Sequence, residues 1–210
     1  MIARAPLCKH ELILASPENT KPAGNTPLNI AANRNAVKWT ARELAGRAIW
    51  ELLRAPLFSW TPRPLWGWRR FILRCFGARI GANVHIHPDV RIVIPWNLEI
   101  GDDSSVGERA ILYALGPITI GLRATISQNA HLCAGTHDFR ATEMTLLKPP
   151  IHIGDEAWIC ADAFIGPGVK VGARAVVGAR AVVVKDVGTG VIVAGNPARV
   201  VGLRDKRTGP

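Results

Sequence analysis

Among the six histidines of this 210-residue chain, His137 stands where a side chain can act on a ligand. It lies in Gly135-Thr136-His137-Asp138, at the head of a stretch, 138–152, that interrupts an otherwise regular repeat. Long excursions from a rigid repeat are where function gathers. A neutral imidazole held against a hydroxyl takes up its proton near neutral pH, and acyl transfer to a hydroxyl needs such a base. It also needs an acceptor pocket and a tethered acyl donor. A loop histidine bonded only to backbone has the same sequence context, so position alone leaves both readings open.

Cysteines 8, 75, 133 and 160 form no Cys-x-x-Cys pair, and a chain of this length needs no stapling. Reduced thiols and a cytoplasmic location are expected. No run of about 18 uncharged apolar residues exists, so no spanning helix is expected. No signal-type apolar run follows the first residues.

The elements that must hold His137 follow from a six-residue period. From 153 onward every sixth residue is aliphatic: Ile153, Ile159, Ile165, Val171, Val177 and Val183. Four positions after each comes a small or short one, such as Ala157, Ala163 and Ala175. A period of six fits neither helix nor flat strand. It marks a triangular β-helix in which each hexapeptide is one side and three complete a coil. The aliphatic residue points inward, and the frequent second-position Gly is expected to allow the corner turn. Upstream, Ile80, Ile100 and Ile120 open coils in shifted phase. Five coils are expected, at 80–97, 100–117, 120–137, 153–170 and 171–188. Their flat faces predict side-by-side packing, with three prisms about one axis as the natural closed assembly.

Four regions follow: an arm (1–37), a helical Trp/Arg-rich segment (38–79), the β-helix (80–188) and a C-terminal cap and tail (189–210). The arm lacks a sustained period and is read as flexible. In the second region Thr40 and Glu43 form a capping box. Leu44, Ala48, Ile49, Leu52 and Leu53 then follow helical spacing, with Glu43–Arg47 and Arg47–Glu51 as i,i+4 pairs on the other side. Pro56 is expected to stop this helix, and Trp66 to Phe76 to form another. Segment 38–79 carries nine basic residues against Glu43 and Glu51, a share of +7 in a chain of net charge +10. It also holds five of the seven tryptophans. Arg and Trp interleaved on an amphipathic element predict peripheral contact with an anionic membrane, or else a cap on the first coil. No nucleic-acid motif accompanies the charge, and no nucleic-acid partner is expected.

Residues 80–202 resemble the hexapeptide-repeat acetyltransferases. The segments PWNLEIGD, ISQNAHLCAGTHD, PIHIGDEAWICADAFIGPGVKVG and VAGNPARVV are most similar to the colanic acid biosynthesis subgroup. The resemblance implies a mainly β fold, a left-handed parallel β-helix with an N-terminal helical segment. It implies a homotrimer, acetyl-CoA as acyl donor, and a sugar or oligosaccharide acceptor, such as a lipid-linked one, in surface-polysaccharide synthesis. His137 would be the general base, and Asn129 would bond the acceptor beside it. Trp158 would line the pantetheine groove, and the amides of Ala161 and Ala179 would touch the pantetheine arm. Lys185 and Arg199 would lie near the nucleotide end. The loop 138–150 is expected to contact the acceptor, but its residues Phe139, Arg140, Met144, Leu146 and Leu147 do not identify it as a sugar.

Each assignment has a plainer counterpart. Asn129 suits a left-handed coil corner, Trp158 suits packing between subunits, and Lys185 and Arg199 suit solvated surface. The role of Asp138 stays open. No metal is expected. Zinc on this type of coil calls for two nearby histidines and a third about two coils upstream, but 88–130 holds none. A small xenobiotic alcohol is an alternative acceptor, and a non-catalytic scaffold an alternative of another class.

Overall fold

The computed structural model describes residues 27–204. Residues 80–194 wind into a parallel β-solenoid with three sheets. Face A carries the strands Arg79–Ile80, Leu98–Ile100, Ile118–Ile120, Ile151–Ile153 and Lys170–Val171. Face B runs from His85–Ile86 through Trp158–Ile159 to Val191–Ala194. Face C runs from Arg91–Ile92 through His131–Cys133 to Val182–Val183. The sense is left-handed. Beyond the five coils expected, a partial sixth continues through Val187, bridged to Val171, and Val191–Ala194. The strand Arg199–Leu203 then folds back antiparallel on Val191–Ala194 and closes that end.

The six-residue period works because each inward aliphatic stacks on its counterpart one coil away. Ile86, Val106, Ile126, Ile159 and Val177 are all buried on face B, as are Ile92, Leu112, Leu132, Ile165 and Val183 on face C. Each such side chain contributes about 1.5–3 kcal/mol of burial.

The glycines do another job than expected. At the corners the left-handed backbone belongs to non-glycine residues, among them Asn83 (φ 51°), Asp103 (φ 58°), Asn129 (φ 56°) and Arg180 (φ 58°). Repeat glycines are needed because neighbouring coils approach too closely for a side chain. A Cβ on Gly154 would lie 2.5 Å from the Ala173 amide nitrogen, and one on Gly101 2.8 Å from the Leu122 nitrogen.

The coils bond in both directions. Backbone N–H groups donate to carbonyls of the following coil, as in Gly81 to Ile100, Gly101 to Ile120 and Gly121 to Ile153, each at 2.8 Å, and others donate back, as in Asp103 to Ala82 (3.0 Å) and Arg123 to Asp102 (2.8 Å). On its open side the first coil has carbonyls with no coil beneath them. The N-terminal helices supply the donors. These are α1 (Ile30–Asn35), α2 (Ala41–Arg54) and α3 (Trp66–Cys75). On α3, Arg74 Nε donates to Ile80 O (2.9 Å), Arg70 to Val84 O (3.1 Å) and Arg69 Nε to Ile86 O (2.7 Å). On α2, Trp50 Nε1 donates to Ile92 O (2.8 Å). The orphan carbonyl of Ile80, Ile86 or Ile92 on each face thus has a side-chain donor.

Several expectations for this segment change. The Thr40–Glu43 capping box forms. The helix does not stop at Pro56, because a π-turn, Ala55–Ser59, continues it. Neither i,i+4 ion pair forms among the described residues. Glu43 is committed to the cap, Arg47 lies over Trp39 (4.4 Å), and Glu51 pairs with Arg54 (3.3 Å). The side of α2 turned to the core centres on Trp50, while Leu44, Ile49 and Leu52 are exposed. The arm contains α1, which docks on the excursion; the part of the arm before residue 27 and the tail after 204 lie outside the described residues.

Arg69 is the keystone of the cap. It is fully buried, donates also to Thr61 Oγ1 (2.8 Å) and Pro62 O (2.9 Å), and lies over the Trp66 ring. Burial pushes its guanidinium below the usual arginine range. Leaving buried carbonyls without donors costs about 1–3 kcal/mol each. Arg69→Met is therefore expected to lower unfolding free energy by about 3 kcal/mol. Arg63→Met, which removes an exposed pair with Glu108, should cost less than about 1 kcal/mol. Equal urea midpoints for the two variants would contradict the capping role.

Candidate active site

The excursion is a β-hairpin standing on the edge between faces C and A. Thr136–His137 pairs antiparallel with Leu146–Leu147, with His137 opposite Leu146. The chain re-enters the solenoid at Ile151, which stacks on Ile118. Thus the third coil ends before 136, not at 137 as expected. The hairpin tip is shaped locally. Asp138 N–H donates to Thr145 O (2.8 Å), and Asp138 Oδ1 accepts from the Arg140 amide (3.0 Å). The role left open for Asp138 is this turn.

His137 is exposed at the side of the hairpin, and its Nδ1 lies 2.6 Å from the carbonyl oxygen of Met144. A carbonyl can only accept, so Nδ1 carries the hydrogen. In the neutral ring Nε2 is then the unprotonated nitrogen, free to accept a proton. Met144 holds this carbonyl in place with a left-handed backbone (φ 45°). The same oxygen also accepts from Asn33 Nδ2 of α1 at 2.6 Å. Sequence reasoning missed Asn33, since it sits in a segment without period, and the contact spans 111 positions.

Asn129 occupies the corner between faces B and C, and its Oδ1 accepts from Arg109 Nε (2.9 Å) one coil below. Face C separates this corner from the hairpin, so the structure does not bring Asn129 and His137 together within one chain. Asn129 takes the left-handed corner conformation.

Ala161 and Ala179 stack on the same B–C corner, one coil apart, with the Arg180 amide donating to Ala161 O (2.9 Å). Among the described residues neither alanine amide has an acceptor. Trp158 lies beside them on face B, 46% exposed, its Nε1 donating to Ser127 Oγ (2.9 Å). The turn 195–198 crosses the end of face C, where Val182 N–H donates to Gly195 O (2.9 Å) and Ala198 N–H to Val182 O (2.9 Å). This places Arg199 at the same end as Ala179. Lys185 follows Val183 at the far side of face C. Both cations are exposed, and neither has a carboxylate partner among the described residues. Trp158, Ala161 and Ala179 therefore gather about the B–C corner with Arg199 at the same end, whereas Lys185 lies on the C–A edge that also carries the hairpin.

Three other histidines are occupied otherwise. His85 stacks on Trp66 (4.7 Å), and His87 lies 3.7 Å from Glu108. His131 stands outward on face C between the rings of Tyr113 and Phe164. Burial, with Arg91 nearby, pushes it below the usual histidine range. No group of three His, Cys, Asp or Glu suited to a metal ion occurs among the described residues.

Comparison with known proteins places this fold. Residues 150–185 match the family model for the bacterial transferase hexapeptide, six repeats. The chain is 46% identical over 153 residues to the colanic acid biosynthesis acetyltransferase WcaF of Escherichia coli K12, covering 73% of this chain and 84% of that protein. It is 29% identical over 136 residues to the galactoside O-acetyltransferase of the same organism, covering 63% and 67%. A hexapeptide-repeat acetyltransferase of Vibrio cholerae, solved with acetyl coenzyme A, superposes with a TM-score of 0.74 at 25% identity, covering 81% of this chain and 93% of that one. The chain belongs to the hexapeptide-repeat acetyltransferases, in the subgroup of the colanic acid biosynthesis enzymes, and is an acyltransferase.

Proposed function

We propose that the chain transfers an acetyl group from acetyl-CoA to a sugar hydroxyl in surface-polysaccharide synthesis, with His137 as general base. The observation that carries this reading is the 2.6 Å contact of His137 Nδ1 with Met144 O, which leaves Nε2 as the proton acceptor. Acetyl-CoA supplies the acyl group as a thioester. His137 Nε2 takes the hydroxyl proton as the oxygen attacks the acyl carbon, and gives it to the departing sulfur. The Met144 carbonyl stabilises the imidazolium formed between these events. The open amides of Ala161 and Ala179 suit the pantetheine amides, and unpaired Lys185 and Arg199 suit phosphates. A sugar is favoured over a xenobiotic alcohol by the 46% identity to a protein of colanic acid biosynthesis. The scaffold alternative is set aside, because the chain belongs to an acetyltransferase family. His137→Ala is expected to fold normally and to lose at least about 10²-fold in kcat, the usual scale for a lost general base. A folded variant with near-normal kcat on nucleotide- or lipid-linked sugars would remove the assignment.

The separation of His137 from the cofactor cluster points to a homotrimer. Face A is polar outside, with Arg79, Glu99, Thr119 and Lys170, whereas face C presents Ile111, Tyr113, Cys133, Phe164 and Val182. Three prisms with face C toward a common axis set the C–A edge of one chain beside the B–C corner of the next. Each hairpin then meets a neighbour's Ala161 and Ala179, making three sites between chains. Light scattering should give the trimer mass, and Phe164→Asp should yield inactive monomers. A stable monomer with full activity would exclude this arrangement.

Contact with an anionic membrane also belongs to this reading, on other grounds than charge composition. Arg69, Arg70 and Arg74 serve the cap, as do Trp50 and Trp66. What favours the contact is the outer surface of the cap. Leu52 (76%), Trp60 (78%) and Phe71 (55%) are exposed there, with Leu44 and Ile49 continuing the stripe. Exposed Arg42 and Arg74 flank it. Tryptophans favour the headgroup layer, and no helix among the described residues is long and apolar enough to cross a membrane. The full chain should co-sediment with phosphatidylserine vesicles at low salt, less so as salt rises. Leu52→Glu with Phe71→Glu should reduce binding several-fold while leaving the cap intact. Unchanged partition of that double variant would show the stripe has no such role.

A further inference from the structure

We infer that α1 is a clamp on the catalytic hairpin, and that Asn33 is a positioning residue for His137. The inference rests on the general-base reading above. Its basis is a chain of bonds crossing from the arm to the imidazole. Asn33 Nδ2 donates to Glu143 O (2.6 Å) and Met144 O (2.6 Å), and Asn29 N–H donates to Thr142 O (2.8 Å). Three successive carbonyls of the hairpin tip are thus held from α1. The orientation of the Asn33 amide is set by chemistry, since its Oδ1 accepts from Lys38 Nζ (2.8 Å). The amide nitrogen must then face the carbonyls. A second fastening lies beside it. Lys148, at the foot of the hairpin, donates to Lys38 O (2.9 Å) and lies over the Trp39 ring (3.4 Å).

Met144 O is the shared atom. It fixes the His137 tautomer only while it stays within reach of Nδ1, and it sits at the end of a hairpin whose two-residue strands are a weak hold. Among the described residues no solenoid group bonds the Met144 oxygen, whose partners are His137 and Asn33. Asn33 does so from outside. When Asn33 is lost, the tip carbonyl moves, Nδ1–H loses its acceptor, and the ring rotates and exchanges tautomers. The remaining bonds of α1 and the cofactor cluster are untouched, so binding of acetyl-CoA is unchanged.

The test uses the full-length protein with acetyl-CoA and a sugar acceptor on which it turns over. Asn33→Ala is expected to keep its circular dichroism and its KM for acetyl-CoA. Its kcat should fall about ten- to hundredfold, the scale for a misplaced catalytic group. In the His137→Ala background the same change should have no further effect, because Asn33 acts only through the imidazole. Histidine ¹⁵N NMR should show a single Nδ1–H tautomer for His137 in the wild type and a mixture in Asn33→Ala. Asn33→Asp, near in shape but unable to donate when ionised, should behave like Asn33→Ala. Should either variant unfold, the other carries the test. A wild-type tautomer and kcat in a folded variant would overturn the clamp, as would an equal loss of kcat in the His137→Ala background. Full activity of His137→Ala would instead defeat the general-base reading, with the tautomer spectrum still deciding the clamp.

Discussion

A stack of coils bonded to one another leaves each end with backbone polar groups that have no further coil to meet, and each open edge is a template for unwanted pairing. This constraint shapes much of the rest. At the first coil the carbonyls of Ile80, Ile86 and Ile92 face the open end and call for donors without acceptors. Arginine and the tryptophan indole are side chains of that kind, and the N-terminal helices present them to the Ile80, Ile86 and Ile92 carbonyls. At the other end the sixth partial coil carries the ladder on and its returning strand covers it. One end is thus closed by side chains and the other by backbone.

The same ladder explains the local sequence of the corners. Coils stacked at strand spacing leave no room for a Cβ where one corner rests on the next, so glycine recurs at those positions. The left-handed residue beside it faces outward and tolerates Asn, Asp, Arg or Glu, at the cost of some backbone strain. Rows of such side chains then bond along the axis, as Asn129 does with Arg109 and as Arg123 does with Glu156 (3.2 Å). Two of these corner positions, Asn83 and Asn129, are asparagine and have a structural reason to be there. An asparagine near a catalytic loop in sequence is weak support for an acceptor-binding role.

What the sequence discloses and what it hides follows from this physics. Period and capping are local patterns, and they are legible: the inward aliphatics, the Thr40–Glu43 box and the excursion after His137 all read directly. The purpose of Arg69, Arg70 and Arg74 was not legible, because interleaved Arg and Trp have the same composition whether they meet lipid headgroups or backbone carbonyls. The glycine signal was legible as to place and misread as to cause, since crowding from a neighbouring coil leaves the same residue as a turn. The exposed side of α2 was hidden by Trp50, which outweighs Leu44, Ile49 and Leu52 in choosing the buried face. Asn33 left no trace, as a single long-range bond from an aperiodic arm has no spacing to reveal it.

A rigid repeat is a good base for a catalytic group and a poor hand for holding one. Most of its backbone donors and acceptors are consumed between coils, and its outward side chains stand off flat faces, so the repeat does not reach over a loop that rises from its edge. A hairpin of two-residue strands is marginal on its own, and a histidine on it would sample several orientations. Precision at such a site has to come from a segment free to cross the solenoid surface. The N-terminal arm is such a segment. It lies outside the repeat, its ordering entropy is offset by three carbonyl contacts with the hairpin tip together with the Lys148–Trp39 stacking, and it runs straight into the helices that cap the first coil. One continuous stretch, from α1 through α3, thereby joins the end that most needs closing to the loop that most needs holding. The division of labour is physical: the repeat fixes where the loop begins and ends, and the chain before it fixes what the loop does in between.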